Sequence, residues 1–567
     1  HGASVARVLA NALDTSNLGG LVPQALEISL HQDRLVDTFA SALQTIDTLD
    51  VATASWGVGK YFGDDFSSLA FTEAEAAIDT AVTEGRDGLG TNIVFAAGNS
   101  RESGDNVNHH NFQNSSNTIA VGALDADGQP ADFSTPGASL LVSARGVDVP
   151  LETGAAGGDT TVSGTSFAAP QVSAAIARML ETNPDLGHRD VQEILAATAD
   201  PTTIGPSTEE LGGLAIDTSV NGASTWNTGG FAFNDRVGFG ALDSDAAVRV
   251  AKYWGETNTQ ANLVETSATF TGSHAIPDGG PSTVQVPLHL DEDIRAEHVS
   301  LDIDIDHSWI GDLTVSLISP DGTRSELLDR PGVSPGDGED YGSAQSDVNF
   351  TLTSAAFRGE SSEGTWHVEV QDQAAGYTGS LEGAEITVEG AAANDDDTYV
   401  MTDAYATLAD QSGRGKLVDT SGDDHLLAAA LSDDAVIDLR PGSTSNIAGR
   451  DLEIGAETLI EKATGGAGDD TIIGNFLDNA LIGGEGNDSL TGGGGADTFR
   501  FSGGDGRNVV RDLNVAEGDR VSIAEESAPK EGIQVAQTDT GSRIDIDDGT
   551  SIEIQGVDAG DVEWFLA

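Results

Sequence analysis

The stretch SGTSFAAPQVSAAIARML, Ser163 to Leu180, sets a hydroxyl at the start of a run that is apolar nearly all round. Such a run reads as a buried helix, preceded by small residues. Ser166 then stands at a helix N-terminus, where the dipole and free N–H groups favour developing negative charge. Taken alone, a serine before a helix reads as an N-cap. Two further residues change that weighing. IVFAA runs straight into Gly98-Asn99, which puts an amide at a strand's carboxyl end, where it can donate to an oxyanion. His1 precedes GASVARVLA, a small-residue stretch able to start a helix that carries the imidazole at its beginning.

Holding these side chains together takes a parallel sheet. Ala25–His31, Val51–Trp56, Ile93–Ala97 and Thr118–Ala123 are short, continuous apolar runs, as expected of strands buried on both faces. TEAEAAIDTAVTEG lies between two of them. Thr72 with Glu75 reads as a capping box, and Gly85 stands where the helix should stop. That strand–helix–strand unit, with right-handed crossovers, predicts a doubly wound α/β domain. Pro170 is expected within the first turn of the Ser166 helix, where a missing N–H costs little.

In this order, HGASVA, AAGNS and SGTSFAAP resemble signature blocks of the subtilisin-like serine proteases. NPDLGHRDVQEILAATA, from Asn183, and NDRVGFGALDSDAAV, from Asn234, narrow the likeness to the kexin/furin-type branch. The resemblance covers residues 1–255. It implies a subtilisin-like parallel sheet, His1 as general base, Ser166 as nucleophile and Asn99 as oxyanion donor. Ser55, Trp56 and Gly57 resemble the edge strand that pairs with substrate backbone. Ala3 and Arg7 replace the family's usual Thr and Gly.

The implied reaction is peptide hydrolysis: Ser166 Oγ attacks the carbonyl while His1 takes its proton and returns it to the leaving amine. The family's chain order is Asp, His, Ser, so its orienting aspartate falls upstream of residue 1. The sequence is therefore expected to be a fragment, and as written to be impaired. Basic-residue selectivity does not carry over either. Lys60 and Asn111 stand near the family's acidic pocket positions, with Asp64 and Asp65 as possible substitutes. His109-His110 reads as part of a plain loop rather than as a metal site.

Residues 256–391 change texture to short alternating strands: TVQVPLHL, HVSLDIDI, LTVSLIS, WHVEVQD and AEITVEG, with turn signals such as PDG at Pro320–Gly322. That pattern predicts a β-sandwich. HSWIGDLTVSLISPDGTRSELLDR and GTWHVEVQD resemble the P domain of proprotein convertases, which buttresses the protease. Trp366 and Leu313 are expected in the core, and Asp312 in a turn.

From Gly465 a nine-residue period appears: GGAGDDTII, GNFLDNALI, GGEGNDSLT, GGGGADTFR. Each unit is a Gly-rich turn ending in Asp or Asn, then a short strand, as in a calcium-binding parallel β-roll. Glycines permit the turns, while backbone carbonyls and Asp side chains offer the hard oxygens that calcium takes. Two units make one turn of the roll, so the first stacks on the third and the second on the fourth. One calcium is expected mainly between Asp470 and Asp488, and a weaker one between Asn479 and Asp497. VIDLRPGSTSNIAG, IEKATGG, DTFRF and the ending DVEWFLA resemble the C-terminal domain of serralysin-type metalloproteases, so 392–567 is assigned to that domain, with the repeats at 465–500. The likeness implies secretion through a one-step bacterial transporter that reads the C-terminus. No HExxH occurs, which rejects a zinc protease.

Composition agrees with this multidomain reading. The 567 residues exceed one core, and 93 acidic against 26 basic side chains give a net charge of −67. Such a chain repels nucleic acid and anionic membranes. It contains no cysteine, which leaves secretion open because calcium can replace the disulfide as staple, and no apolar run is long enough to span a membrane. The expected function is a secreted, calcium-dependent serine endopeptidase acting on proteins or peptides. The alternative is a non-catalytic, calcium-folded binding or adhesion protein with a degenerate protease domain.

Overall fold

The structure is a computed structural model that describes residues 2–12, 43–151, 160–201, 218–335, 342–411, 413–524, 533–546, 550–562 and 564–566. The chain packs as two compact units. One comprises His1–Ala223, Phe231–Ser244 and Trp254–Ala393; the other comprises Ser224–Gly230, Asp245–Tyr253 and Asn394–Ala567. Two short segments of the stretch assigned by sequence to the protease domain thus pack with the C-terminal unit. Among the described residues, no helix is long and apolar enough to cross a membrane.

The first unit opens with helix α1 (Gly2–Ala12). A parallel sheet of order β1-β2-β3-β4 follows: Val51–Ala54, Asn92–Ala96, Ile119–Leu124 and Leu140–Arg145. Every residue of β2 and β3 is buried, as their continuous apolarity predicts. Helix α2 (Thr72–Glu84) makes the crossover from β1 to β2, whose register begins Val51↔Asn92. Gly85 ends it as expected, but the capping box does not form. Phe71 occupies the N-cap, and Thr72, one residue inside the helix, donates to the Ser68 carbonyl. Ala25–His31 lies outside the described residues. A hairpin of β5 (Val149–Leu151) and β6 (Thr160–Val162) precedes helix α3 (Thr165–Thr182), and helix α4 (His188–Thr198) comes next. Val5 and Val8 of α1 pack with Phe167 of α3 and with Val149, Leu151 and Val162 of the hairpin.

Strands β7 (Ser219–Val220) and β8 (Ala232–Phe233) form a short pair. Then come two four-stranded antiparallel sheets. Their strands are β9 (Val264–Ile276), β10 (Thr283–Leu290), β11 (Ile294–His307), β12 (Leu313–Ile318), β13 (Arg324–Asp329), β14 (Val348–Ser354), β15 (Gly364–Asp372) and β16 (Gly379–Ala392). The orders are β10-β15-β12-β13 and β14-β11-β16-β9. In β10 burial alternates strictly, with Val284, Val286, Leu288 and Leu290 inward. Trp366 and Leu313 are fully buried, and Asp312 ends a 3₁₀ turn.

The sandwich joins the α/β layer through buried polar contacts. Arg189 of α4 grips Glu297 of β11 with Nε at 2.8 Å and Nη2 at 2.6 Å. Asn108 donates to the carbonyls of Leu327 and Thr353, and His298 Nε2 meets Gln192 Oε1 at 2.7 Å.

In the second unit, the repeat strands stack in parallel with the anticipated partners. Thr471–Ile473 pairs with Ser489–Thr491, and Ala480–Ile482 pairs with Thr498–Phe501. Their central residues Ile472, Leu481, Leu490 and Phe499 are fully buried, so each nine-residue unit contributes one apolar rung to the core. The ladders run on beyond the repeats. His425–Leu427 and Lys462–Thr464 precede the column of Ala480, and Arg520–Ile523 follows it. Helix α5 (Ser244–Tyr253) lies in this unit from Asp245 onward, and its Arg249 donates to the carbonyls of Ala429 and Ala430.

Candidate active site and calcium-binding turns

Three elements converge at the carboxyl edge of the parallel sheet. The residues following β1 (Ser55, Trp56, Gly57), those following β2 (Ala97, Gly98, Asn99) and the start of α3 (Thr165, Ser166) line one cavity of about 190 Å³. This is the edge where ligands meet open parallel sheets.

Gly164 takes the N-cap of α3 with φ of 144°, so Ser166 is inside the helix rather than its cap. Thr165 ties the helix start to β2. Its N–H and its hydroxyl both donate to Asn99 Oδ1, at 2.9 and 3.1 Å, and its Oγ1 accepts from Gly98 N–H at 3.2 Å. Gly98 adopts φ of 110°, and a Cβ there would press on Thr135 Oγ1 at 2.8 Å. With its oxygen engaged twice, Asn99 keeps its Nδ2 donor for the cavity it lines. Phe167 N–H returns to the Gly164 carbonyl, and Ser166 N–H has no acceptor among the described residues. Two unspent donors, one on an amide side chain and one at a helix N-terminus, thus belong to residues that line the same cavity.

Pro170 lies past the first turn, as the sixth residue of α3. A proline there deprives the carbonyl of Ser166, four residues back, of its helical donor. Ser55 Oγ supplies one instead, at 3.2 Å. Trp56 packs edge-on against Phe95 (5.1 Å) and Phe112 (5.0 Å), which fixes the strand segment bordering the cavity. His1 lies outside the described residues; α1, which follows it, packs beside the Ser166 helix.

The side chains proposed by sequence as acidic counterparts do not line the cavity. Lys60 is exposed, Asn111 donates to the Thr351 carbonyl of the sandwich, and Asp65 closes its own turn on Ser67. Asp64 is fully buried and accepts from Phe112 N–H. The acid that lines the cavity is Asp105, together with His110 and Gln113. Asp105 Oδ1 meets His109 Nδ1 at 3.2 Å and His110 Nε2 at 3.0 Å. His110 Nδ1 stands 3.6 Å from Asp64 Oδ1, an ion-pair distance just beyond hydrogen-bond reach. Burial alone would lower the His110 pKa, but its bond to Asp105 and the neighbouring carboxylates of Asp105 and Asp64 outweigh it and push it up to about 9. His109 is shifted down by complete burial. Spacings of four and five residues from Asp105 are the only sequence trace of this cluster, and they mean something only once a 3₁₀ turn at Val107–His109 brings the imidazoles back.

In the second unit, the Asp and Asn residues ending each Gly-rich turn reach back to the preceding turn of the roll. Asp488 Oδ1 accepts from Asp470 N–H (2.9 Å), and Asp497 Oδ1 accepts from Asn479 N–H (2.8 Å). Asn508 and Asp519 continue the two columns, accepting from Asp488 and Asp497 N–H; neither stands out in the repeat pattern. Asp470 uses both oxygens, on Ala435 and Gly466 N–H. Asn479 gives its amide to the carbonyls of Ile460 and Glu461. Asp488 Oδ2 and Asp497 Oδ2 are buried without a donor among the described residues. Each points at a glycine, Gly483 or Gly492, where a Cβ would collide with it. Burial, then neighbouring carboxylates, raise Asp488 to about 8 and Asp497 to about 7; Asp470 rises to about 6. Crowded carboxylates with unspent oxygens beside turn carbonyls fit a hard divalent cation. Among the described residues, no three acidic or His side chains converge on one point, so backbone carbonyls must complete such a site.

Comparison with known proteins agrees with the geometry of the first unit. Residues 1–240 match the model of the subtilase family. The chain carries a subtilase domain. Residues 296–388 match the proprotein convertase P-domain, and residues 386–534 match the peptidase M10 serralysin C terminal. The chain is 30% identical to protease KEX1 of Kluyveromyces lactis over 345 residues, 59% of this chain and 42% of that protein. It is 30% identical to rat proprotein convertase subtilisin/kexin type 6, over 57% of this chain and 33% of that one. Endoprotease aex-5 of Caenorhabditis elegans is 29% identical, with coverages of 66% and 63%. The chain thus spans a third to under two thirds of these relatives. Among solved structures, the serine protease of Aeromonas sobria in complex with its chaperone shares the fold, with a TM-score of 0.51 at 21% identity, over 64% of this chain and 74% of that one.

Proposed function

We propose that this subtilase-bearing chain acts as a secreted, calcium-dependent serine endopeptidase, with His1, Ser166 and Asn99 as its catalytic groups. The observation that supports the reading is the double anchor of Asn99 Oδ1 on Thr165, which leaves the amide donor unspent on a residue that lines the same cavity as Ser166. Ser166 Oγ attacks the peptide carbonyl as its proton passes to His1, and the carbonyl oxygen takes its negative charge between Asn99 Nδ2 and Ser166 N–H. Collapse of that adduct expels the amine, which takes the proton from His1. Water then repeats the sequence on the acyl-enzyme. Ser55–Gly57 offers backbone to an extended peptide, which adds as a strand along the sheet edge.

Asp470 with Asp488, and more weakly Asn479 with Asp497, would hold calcium together with turn carbonyls. Bound calcium stabilises the roll by neutralising carboxylates that otherwise repel. The serralysin-like C-terminal region and the charge of −67 suit export, through a one-step bacterial transporter, of a chain that folds where calcium is plentiful. The test is hydrolysis of an unfolded protein by the full-length product in millimolar calcium. Cleavage that S166A abolishes supports the reading; no cleavage points to a binding protein.

A further inference from the structure

We propose that His110 is a specificity-determining residue, and this deepens the endopeptidase reading on which it rests. Seated between Asp64 and Asp105 in the wall of the Ser166 cavity, it cancels the carboxylate that a cationic substrate side chain would otherwise meet, so the cavity takes uncharged side chains.

The cavity bounded by Ser166 and Asn99 must receive the side chain on the acyl side of the scissile bond, because that carbon is attached to the attacked carbonyl. Its walls are the neutral segments Ser55–Gly59 and Ala96–Ser100. Its ionisable lining is Asp105 and His110. An unpaired aspartate there would draw a guanidinium or ammonium into a charge-assisted hydrogen bond. Asp105 is not unpaired. Its Oδ1 accepts from Asn106 N–H at 3.0 Å and faces both imidazoles, and its Oδ2 lies 3.2 Å from His110 Nε2.

The neighbouring charges fix which ring carries the proton. His109 is enclosed by the rings of Tyr61 and Phe62, its Nε2 is buried without a partner among the described residues, and its one carboxylate contact is Asp105, with Asp329 of β13 acting from further off. It is therefore neutral. His110 has a carboxylate at each ring nitrogen, Asp105 at Nε2 and Asp64 at Nδ1, and Asp64 has no exposure of its own. It is an imidazolium at neutral pH. What the cavity meets is Asp105 already spent on a cation, while the second acid sits behind the ring.

The test is binding of benzamidine, a cationic probe of such a cavity, measured by calorimetry. It needs no turnover, so S166A protein serves as well as active protein, and failure of the endopeptidase reading remains separable. H110Q keeps a donor for Asp105 without the charge. It is expected to bind benzamidine at least about tenfold more tightly than wild type near pH 7.5, a gain that D105N/H110Q loses. Wild type, with no substitution that threatens folding, is expected to gain affinity as pH rises through about 9 and His110 gives up its proton while the probe keeps its own. An H110Q protein that melts like wild type yet binds no tighter, or a wild-type affinity flat to about pH 10, overturns the proposal.

Discussion

Ser55 Oγ donates to the main-chain carbonyl of Ser166 at 3.2 Å, bridging the strand segment at one wall of the cavity to the helix that carries the hydroxyl at another. The bond exists because Pro170, four residues on, has no N–H to give that carbonyl. Two features that look unrelated in sequence thus hold a single backbone group.

Removing that bond should misplace Ser166 without emptying the site. S55A is expected to lower kcat about fivefold, with little change in KM, in line with a hydrogen bond worth about 1 kcal/mol. Pro170→Ala restores a helical donor, so S55A should cost less in that background. A double-mutant cycle on kcat checks the coupling; additive effects would mean that the two residues do not share the carbonyl.

Asn99→Ala removes the side-chain donor proposed for the oxyanion. The expected loss is about 10²–10³ in kcat, with KM nearly unchanged, because the bond strengthens only as charge develops. Steady-state kinetics on one peptide substrate reads this directly.

The Arg189–Glu297 pair is bidentate and buried, and Arg189 also donates to the Thr259 carbonyl and Asn262 Oδ1. Glu297→Ala strands a guanidinium inside the protein, which should destabilise the first unit by about 3–5 kcal/mol. Replacing Arg189 and Glu297 together by apolar residues of similar volume should cost much less. Chemical denaturation of the two variants compares them.

Asp470, Asp488 and Asp497 all have folded-state pKa values above that of an unfolded aspartate, at about 6, 8 and 7. The folded roll therefore binds more protons than the unfolded chain between about pH 4 and 8, and its stability without metal falls as pH rises through that window. In EDTA the full-length protein should melt at a higher temperature near pH 5 than near pH 8, and calcium should reverse the order by favouring the ionised carboxylates. Circular dichroism melts follow both.

Much of this architecture is legible from residue patterns. β2 and β3 announce themselves by unbroken apolar runs, and the nine-residue period sets which repeat strands stack. Five of the eight sandwich strands, β10, β11, β12, β15 and β16, are equally plain, whereas the Thr- and Ser-rich stretch of β9 leaves most positions partly or fully exposed and so offers no strong apolar alternation. Local cues misled where tertiary packing decided. Thr72 and Glu75 satisfy the capping-box spacing, yet Phe71 packs in the core and starts the helix one residue earlier. Asp105 was invisible as a site residue because its role depends on a 3₁₀ turn that folds two histidines back onto it, whereas Ser166 and Asn99 are marked by the elements that end or begin at them.

Covalent labelling of the full-length protein by a fluorophosphonate in millimolar calcium tests the central claim most directly. A single adduct, mapped by mass spectrometry to Ser166 and absent from S166A, is the predicted result. Folded, calcium-loaded protein that takes no label, or takes it on another serine, would contradict the account.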